Sequence, residues 1–235
     1  MTEMLYQTDS YLREFDAIIT ASFPDEKAVA LDRTAFYPGG GGQPNDIGKL
    51  AGLNVVKVKK AGDDVLHVLD GELPAVGTKV HGVIDWDRRY KLMRTHTAMH
   101  ILCGCVFRDY GAQVTGGDME PLKGRMDFEF ERLQKDLVSV IETAINREVQ
   151  AGRELRVKIL PRAEAFQIPD LIRTKINLLP EGIQQVRTVE IVGLDLQADG
   201  GTHVKNTSEV GKIRVADYKS KGAINKRIYI EVADG

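Results

Sequence analysis

The stretch WDRRYKLMRTHTAMHILCGCVFRDYG, residues 86–111, marks the point at which this sequence changes character. It contains no proline, and no glycine interrupts it before Gly104. Asp87 is a typical helix N-cap residue and Gly111 a typical C-terminal stop, so the pattern predicts a helix from about 88 to 109. This helix places a domain boundary near residue 85.

The chain before this helix consists of short β-branched runs separated by proline, glycine and aspartate clusters. The runs are DAIITASF, KAVALDRTAF, LNVVKVKK, DVLHVL and KVHGVID. Many short strands at regular spacing are typical of a small barrel or sandwich. Residues 1–85 are therefore predicted to form a separate small β-domain.

The chain after this helix mixes one further helix with strands. The stretch 131–152 repeats apolar residues at three- and four-residue steps and ends at Gly152, which predicts an amphipathic helix. Its apolar residues are Leu133, Leu137, Val140, Ile141, Ala144, Ile145 and Val149. The stretch GGDMEPLKGRMDFEF (116–130) predicts a turn and a strand with alternating Met126, Phe128 and Phe130. The stretches LRVKIL, RTVEIVGLDLQ, GKIRVADYKS and KRIYIEVA predict further strands, so an α+β domain is expected over residues 86–235.

Composition limits the possible functions. The chain is 43% hydrophobic, enough to bury a core, and no apolar run reaches the roughly 20 residues that span a bilayer. The N-terminal stretch has no basic segment followed by an apolar one, so we expect a cytoplasmic protein. The net charge of −2 argues against indiscriminate coating of nucleic acid but allows a local basic face.

The two cysteines do not indicate a disulfide framework. Cys103 and Cys105 lie two residues apart within the predicted helix, where buried apolar side chains are the expected role. No serine or cysteine has a flanking histidine in a recognisable nucleophile context, which disfavours a covalent acyl-enzyme.

Two of the five histidines share one face of the predicted helix. His96 and His100 are four residues apart, and Cβ atoms at this spacing lie roughly 5–6 Å from each other. Two imidazoles in this arrangement can bind one metal ion, although the pair alone is a weak signal. His67 and His81 lie in ordinary strand patterns and are interpreted as structural.

His203 lies four residues after Asp199 in the sequence DGGTH. Two glycines allow a tight turn on which both side chains converge, and zinc binds imidazole nitrogen and carboxylate oxygen. The alternative is a structural histidine in a turn in which Asp199 hydrogen bonds to the backbone. Spacing alone leaves both interpretations open.

Three stretches resemble the alanyl-tRNA editing domains. RTHTAMHIL (94–102) with ADGGTHVKNTSEVG (198–211) resembles the paired H-x-x-x-H and C-x-x-x-H motifs of that family. TAFYPGGGGQPNDIG (34–48) resembles the glycine-rich stretch of its alanine branch, and MEPLKGRMDFEF (119–130) is also similar. The resemblance covers almost the whole chain and is strongest to the free-standing, medium-length AlaX type. It implies a small N-terminal β-barrel followed by an α+β editing domain with an antiparallel sheet and two long helices.

The resemblance also implies an activity and a cofactor. It implies a zinc-dependent hydrolase that removes serine or glycine wrongly attached to tRNA(Ala), with one zinc ion per chain. His96, His100 and His203 match the metal ligands. The family commonly has cysteine where this chain has Asp199, which either binds the metal or turns away and leaves three histidines and water.

The glycine-rich stretch is expected to contact the amino acid. The residues that match Thr34 and Gln43 line the amino-acid pocket of the family, and either could hydrogen bond to the serine hydroxyl. Gly39, Gly40, Gly41 and Gly42 would let the backbone approach the aminoacyl group closely. Without the resemblance, a flexible hairpin tip would be the simpler interpretation of the glycines.

Two alternative functions and the tRNA contact complete the expectations. The alternatives are editing of a tRNA of the threonyl type and a non-catalytic RNA-binding module with structural zinc. A basic cluster near the C-terminus is expected to bind the acceptor stem. It consists of Lys219, Lys221, Lys226 and Arg227. The second choice for this contact is the group Arg88, Arg89 and Arg94 at the start of the helix.

Overall fold

The computed structural model describes residues 1–129, 135–174, 179 and 182–234. Phe130 and Leu133, which the sequence assigns to a strand and a helix, lie outside these residues. The chain separates into two compact units, Met1–Lys91 and Leu92–Gly235. Within the described part of the chain, no helix has both the length and the apolar character needed to cross a membrane.

The first unit consists of short strands. These are β1 (Glu3–Met4), β2 (Glu14–Phe23), β3 (Ala28–Leu31), β4 (Arg33–Thr34), β5 (Gly48–Leu50), β6 (Leu53–Ala61), β7 (Asp64–Leu69) and β8 (Lys79–Ile84). Six of them form a closed barrel in the order β2-β3-β7-β6-β5-β8, and each neighbouring pair is antiparallel. Strands β1 and β4 pair in parallel.

Alternation along β2 fills the interior of the barrel. Phe15, Ala17 and Ile19 are buried, and the residues between them are exposed. Phe15 pairs with Gly82 of β8, where an added Cβ would lie 2.6 Å from Cε1 of the Phe15 ring. A side chain at position 82 would therefore displace this ring from the core.

The second unit combines helices with two antiparallel sheets. Its helices are α1 (Trp86–Tyr110), which begins in the first unit, α2 (Lys135–Gln150) and the short α3 (Arg162–Ala165). Its strands are β9 (Val114–Glu120), β10 (Lys123–Glu129), β11 (Leu155–Pro161), β12 (Gln185–Ile191), β13 (Asp195–Ala198), β14 (Ile213–Ser220) and β15 (Asn225–Val232). The sheet orders are β14-β15-β10-β9 and β11-β12-β13.

Helix α1 is confirmed, but its N-cap differs from the prediction. Oδ1 of Asp85, one residue before the helix, accepts a hydrogen bond from the N–H of Arg88 at 3.2 Å. Asp87 lies inside the helix and pairs with Lys91, so its assignment as the cap was wrong. The predicted stop at Gly111 is confirmed by its φ of +64° and its bond to the carbonyl of Phe107. Every residue from 92 to 106 is buried, so this helix has no solvent-exposed face along most of its length.

Two predicted strands are interrupted. The stretch 187–197 was predicted as one strand, but the chain reverses between β12 and β13, with Gly193 at φ +76°. The reversal pairs Ile191 with Asp195. The stretch 27–36 is likewise divided, at Asp32, into β3 and β4. Strand β5 was not predicted, because its three residues are too few to show an alternating pattern.

Candidate metal centre

Helix α1 places two imidazoles together in the interior of the second unit. His96 and His100 have ring centroids 5.1 Å apart and are 4% and 6% exposed. Their four-residue spacing puts them on one face of the helix, as the sequence predicts. Because the surrounding helix is buried, both rings are withdrawn from water.

A turn after β13 supplies the other two side chains. Oδ2 of Asp199 lies 2.9 Å from Nε2 of His203 and accepts the N–H of Gly201 at 2.8 Å. Asp199 therefore hydrogen bonds to the backbone of the turn and also faces the histidines, although the sequence presented these two roles as alternatives. Neither Gly200 nor Gly201 adopts a positive φ, so the turn does not depend on the conformational freedom of glycine that the sequence suggested.

Four side chains converge at one point. Nε2 of His203, His96 and His100 lies 2.9, 3.5 and 4.0 Å, respectively, from a carboxylate oxygen of Asp199. The four candidate donor atoms all lie within 4.8 Å of one another. The rings of His96 and His203 are stacked at 4.2 Å. The structure thus brings together all four side chains that the sequence predicted as metal ligands.

The donor set fits a divalent metal of the zinc type. Zinc binds imidazole nitrogen and carboxylate oxygen at about 2.0–2.1 Å, which separates tetrahedral ligands by about 3.3 Å. The distances from Asp199 to the three imidazoles, 2.9 to 4.0 Å, bracket that value. Small side-chain adjustments would therefore close the group on one ion.

Burial keeps two of these imidazoles neutral. Burial lowers the pKa of His203 to about 4 and lowers that of His96 well below its ordinary value. Burial alone would raise the pKa of Asp199, but its contacts with His96 and His203 outweigh this and hold it well below its ordinary value. Near pH 7, neutral imidazoles and an ionised carboxylate are therefore available, which is the protonation that metal binding needs.

Asp195 contacts the far side of the His100 ring and was not predicted as a site residue. Its Oδ2 lies 3.4 Å from Nδ1 of His100 and accepts a hydrogen bond from Gln197 at 2.6 Å. Its Oδ1 lies 3.3 Å from Nε of Arg173. Burial would lower the pKa of His100, but the contacts with Asp195 and Asp199 outweigh this and raise it.

Thr97 and Arg187 support the other side of the centre. Oγ1 of Thr97 lies 3.2 Å from Nδ1 of His203 and accepts the N–H of Val204 at 3.3 Å. Nη1 of Arg187, on β12, donates to the carbonyl of Asp199 at 2.9 Å and lies 3.7 Å from its Oδ2. Neither residue was predicted as a site residue, although Thr97 lies directly after His96.

The glycine-rich stretch of the first unit forms a defined hairpin. Gly40 and Gln43 exchange backbone hydrogen bonds at 2.9 and 3.0 Å around the two central residues of the turn. These central residues, Gly41 and Gly42, have φ of +57° and +88°, as a type I′ turn requires. Gln43 is 2% exposed. Gly41 and Gly42 therefore supply the two positive φ angles that this turn requires.

A buried ion pair holds the base of this hairpin. Tyr37 donates its N–H to Oδ2 of Asp46 at 2.6 Å, and the N–H of Asp46 donates to the carbonyl of Tyr37 at 2.9 Å. Arg89, fully buried, donates from Nε to both oxygens of Asp46 and also binds the carbonyls of Ser10 and Ala35. The prediction that Arg89 is part of a basic RNA-binding face was therefore wrong.

Thr34, predicted to line the amino-acid pocket, is also fully buried in the first unit. Its Oγ1 lies 2.8 Å from Nε2 of His67 and accepts the N–H of Phe36 at 3.1 Å. The interpretation of His67 as a structural histidine agrees with its complete burial. His81, also interpreted as structural, lies on the surface 2.8 Å from Asp16.

Members of the C-terminal basic cluster differ in their exposure. Lys226 is buried, and its Nζ donates to the carbonyls of Gly222 and Ala223. Arg227 donates to both oxygens of Asp127 at 2.6 and 2.7 Å. Lys221 is exposed.

Lys219 is exposed and contacts two residues at the surface. Its Nζ lies 3.2 Å from Asp217 and 5.1 Å from the centroid of the Tyr229 ring. A surface ion pair of this kind contributes little and exchanges easily for a phosphate. The exposed charges of the cluster are thus those of Lys219 and Lys221.

Arg94 belongs to the group at the start of α1 that was the second choice for the tRNA contact, and it also has partners inside the protein. It is 8% exposed, and its Nε donates to the carbonyl of Val210 at 3.0 Å.

The cysteines match their prediction: Cys103 and Cys105 are buried, and burial raises the pKa of Cys105 to about 12.

Comparison with protein families gives two matches. Residues 186–229, which include Asp199 and His203, match the family described as the threonyl and alanyl tRNA synthetase second additional domain. Residues 10–88 match the family described as tRNA synthetases class II (A).

Individual relatives extend over the full length of the chain. It is 42% identical to the alanyl-tRNA editing protein AlaX-M of Saccharolobus solfataricus, over 99% of both chains. It is 40% identical to the AlaX-M protein of Methanosarcina acetivorans, over 100% of both chains. It is also 39% identical to the alanine–tRNA ligase of Ignicoccus hospitalis, over 91% of this chain and 24% of that protein.

Proposed function

This chain belongs to the AlaX-M family of alanyl-tRNA editing proteins, and from that membership we propose that it hydrolyses the ester bond of mischarged tRNA(Ala) in trans. The substrates are tRNA(Ala) charged with serine or with glycine. A pocket built for alanine cannot exclude the smaller glycine by its size, and it rejects a side chain that only adds a hydroxyl modestly. A second, hydrolytic site that removes serine or glycine from tRNA(Ala) would correct both errors.

The observation that carries the proposal is the convergence of three buried Nε2 atoms on the carboxylate of Asp199. We propose that this group holds one zinc ion. Bound zinc can polarise the ester carbonyl or lower the pKa of a water molecule that attacks it. His96 and His203 would supply nitrogen ligands in the neutral form that their burial favours, and His100 would bind through the same atom, Nε2, once its ring is neutral.

Asp199 is proposed as the fourth ligand. Its side chain is 14% exposed and is directed at the three histidines. The carboxyl group of Asp199 accepts the N–H of Gly201, and its backbone carbonyl accepts Nη1 of Arg187. These two hydrogen bonds limit rotation of the side chain away from the three histidines. This arrangement supports ligand binding over the alternative in which Asp199 turns away.

We also propose an amino-acid pocket, which the resemblance implies, and a tRNA contact, which the charge of the C-terminal basic cluster suggests. Thr34 and Gln43, with the intervening glycines, are proposed to recognise the wrong amino acid. Lys219 and Lys221 are proposed to bind acceptor-stem phosphates, which position an RNA without reading its sequence. Their exposure supports this role more than the contacts of Lys226 and Arg227 do.

The test is deacylation by the purified protein. It is incubated with Ser-tRNA(Ala), Gly-tRNA(Ala) and Ala-tRNA(Ala), with a chelator and after zinc is restored. We expect serine and glycine to be released, alanine to be retained, and the chelator to stop the reaction reversibly. Release from Ser-tRNA(Thr) instead would indicate the threonyl alternative, and tight RNA binding without hydrolysis in the presence of zinc would indicate a binding module.

A further inference from the structure

The far nitrogen of one proposed ligand faces a buried carboxylate. Nε2 of His100 is directed at Asp199, and Nδ1 of the same ring lies 3.4 Å from Oδ2 of Asp195. We infer that Asp195 is a positioning residue that keeps the proton of His100 on Nδ1 and thereby leaves Nε2 free to bind the metal. The inference rests on the proposed metal site and adds a residue that acts on it through His100.

The surroundings of Asp195 hold its carboxylate in this orientation. The side chain is completely buried. Nε2 of Gln197 donates to Oδ2 at 2.6 Å, and Nε of Arg173 lies 3.3 Å from Oδ1. The guanidinium of Arg173 is itself held over the ring of Phe107 in α1, with Cζ 3.9 Å from the centroid. Both carboxylate oxygens thus have a fixed partner, and Oδ2 is the oxygen that faces His100.

A purely structural role would be the pairing of Asp195 with Arg173. That role accounts for Oδ1 only, because Oδ2 is directed to Gln197 and to the His100 ring. Burying a carboxylate is costly, so an oxygen that faces an imidazole nitrogen is expected to accept its proton. In metalloproteins, a carboxylate on the far nitrogen fixes the tautomer of a ligating histidine and makes it a stronger ligand.

His203 has a different partner at the equivalent position. Its Nδ1 lies 3.2 Å from the hydroxyl of Thr97, which is uncharged. The carboxylate of Asp195 therefore distinguishes His100 from His203, and removing it should affect one ligand selectively. This selectivity makes a double-mutant cycle informative.

The first measurement is the zinc affinity of the full chain, by competition with a fluorescent chelator. The variants are Asp195→Asn, His100→Ala and the double variant, with Asp217→Asn as a surface-carboxylate control. We expect Asp195→Asn to weaken zinc binding by about 10–100-fold and to have no further effect when His100 is already alanine. An unchanged affinity, or an equal loss in both backgrounds, would overturn the inference.

The second measurement is the tautomer of His100 in the metal-free protein, read from the ¹⁵N shifts of the labelled ring above neutral pH. We expect a proton on Nδ1 in the wild type and a mixture of tautomers in Asp195→Asn. A wild-type proton on Nε2 would contradict the inference. Neither readout needs tRNA, so a protein that binds zinc through Asp195 but fails to deacylate would refute the proposed function alone.

A second variant covers the case in which Asp195→Asn fails to fold. Gln197→Leu leaves the carboxylate in place but removes the donor 2.6 Å from its Oδ2. The expected result is a smaller loss of zinc affinity that again disappears in the His100→Ala background. Persistence of that loss without His100 would count against Asp195 as a positioning residue.

Discussion

The hydroxyl of Thr34 lies 2.8 Å from Nε2 of His67, and neither side chain is exposed. Nδ1 of His67 lies 3.4 Å from the carbonyl of Val29, so the ring proton resides on Nδ1 and Nε2 accepts from Thr34. Oγ1 of Thr34 also accepts the N–H of Phe36. The single donor of this hydroxyl is therefore used inside the protein, and a substrate hydroxyl could only donate to its remaining lone pair.

Acidification should destabilise the protein through His67. Burial lowers the pKa of His67 to about 4, whereas an unfolded histidine has a pKa near 6.5. Between these values the unfolded state binds more protons, so the free energy of unfolding falls as the pH falls from about 6.5 to about 4, by up to roughly 3 kcal/mol. Urea unfolding across this range should show a smaller pH dependence in His67→Gln, and an equal dependence in both proteins would exclude His67 as the cause.

Thr34→Val should lower stability, because it leaves Nε2 of His67 buried without its donor. The expected loss in the free energy of unfolding is about 1–3 kcal/mol, and Thr34→Ser, which keeps the hydroxyl, should lose less. The ratio of cleavage of Ser-tRNA(Ala) to Ala-tRNA(Ala) tests the proposed recognition role separately. If Thr34→Val leaves this ratio unchanged, Thr34 does not read the serine hydroxyl.

Removing any imidazole of the metal centre should abolish deacylation with the fold retained. His96→Ala, His100→Ala and His203→Ala are each expected to lower the rate by at least about 100-fold, more than residues that only support a ligand. His81→Ala is the matched control, because His81 is a surface histidine paired with Asp16. Rates and bound metal are measured together, and an active variant that retains metal would remove that histidine from the centre.

Arg89→Met should unfold the glycine-rich hairpin at its base. The substitution leaves Asp46 buried without its cation, which typically costs about 3–5 kcal/mol. Lys91→Met removes a surface pair with Asp87 on the same helix and should cost less than about 1 kcal/mol. Urea unfolding measures both variants, and similar values for the two would show that Arg89 does not hold the hairpin.

The salt dependence of tRNA binding should depend on Lys219 and Lys221. Each lysine that binds a phosphate contributes roughly 0.7–0.9 to the slope of log K against log salt concentration, so the double alanine variant should flatten it by about 1.5. Turnover at saturation should change little. The pair Lys226→Ala and Arg227→Ala should instead lower stability, because both side chains have partners within the protein. An unchanged slope in the first variant would exclude these two lysines from the contact.

Local sequence rules predicted the four side chains that the structure brings together but missed the residues that surround them. His96 and His100 follow from helical spacing, and His203 with Asp199 from a short separation across a turn. Asp195 was hidden because apolar residues recur through the whole of 187–197, across the reversal between β12 and β13. The alternation changes phase at Ile191 and Val192, next to Gly193, but one phase change with one glycine within a strand pattern has several possible explanations.

Long-range pairing explains why the sequence misassigned Arg89. Arg89 appeared to be a surface cation, because its partner Asp46 lies 43 residues earlier in the sequence. The partner of Arg227 is also distant, because Asp127 lies 100 residues earlier, whereas the carbonyls that Lys226 binds lie only three and four residues before it. A single sequence shows the charges of a segment but does not show which distant groups neutralise them.

The donor set of the candidate metal centre contains no sulfur. Its nitrogens and carboxylate oxygens come from three histidines and Asp199, at a position where the family that the sequence resembles commonly has cysteine. Peroxide attacks thiolates and converts them to acids that no longer bind metal in the same way, whereas imidazole and carboxylate are not substrates for that chemistry. We therefore expect the candidate metal centre to retain all four donor side chains under oxidative stress that would oxidise a cysteine at the position of Asp199.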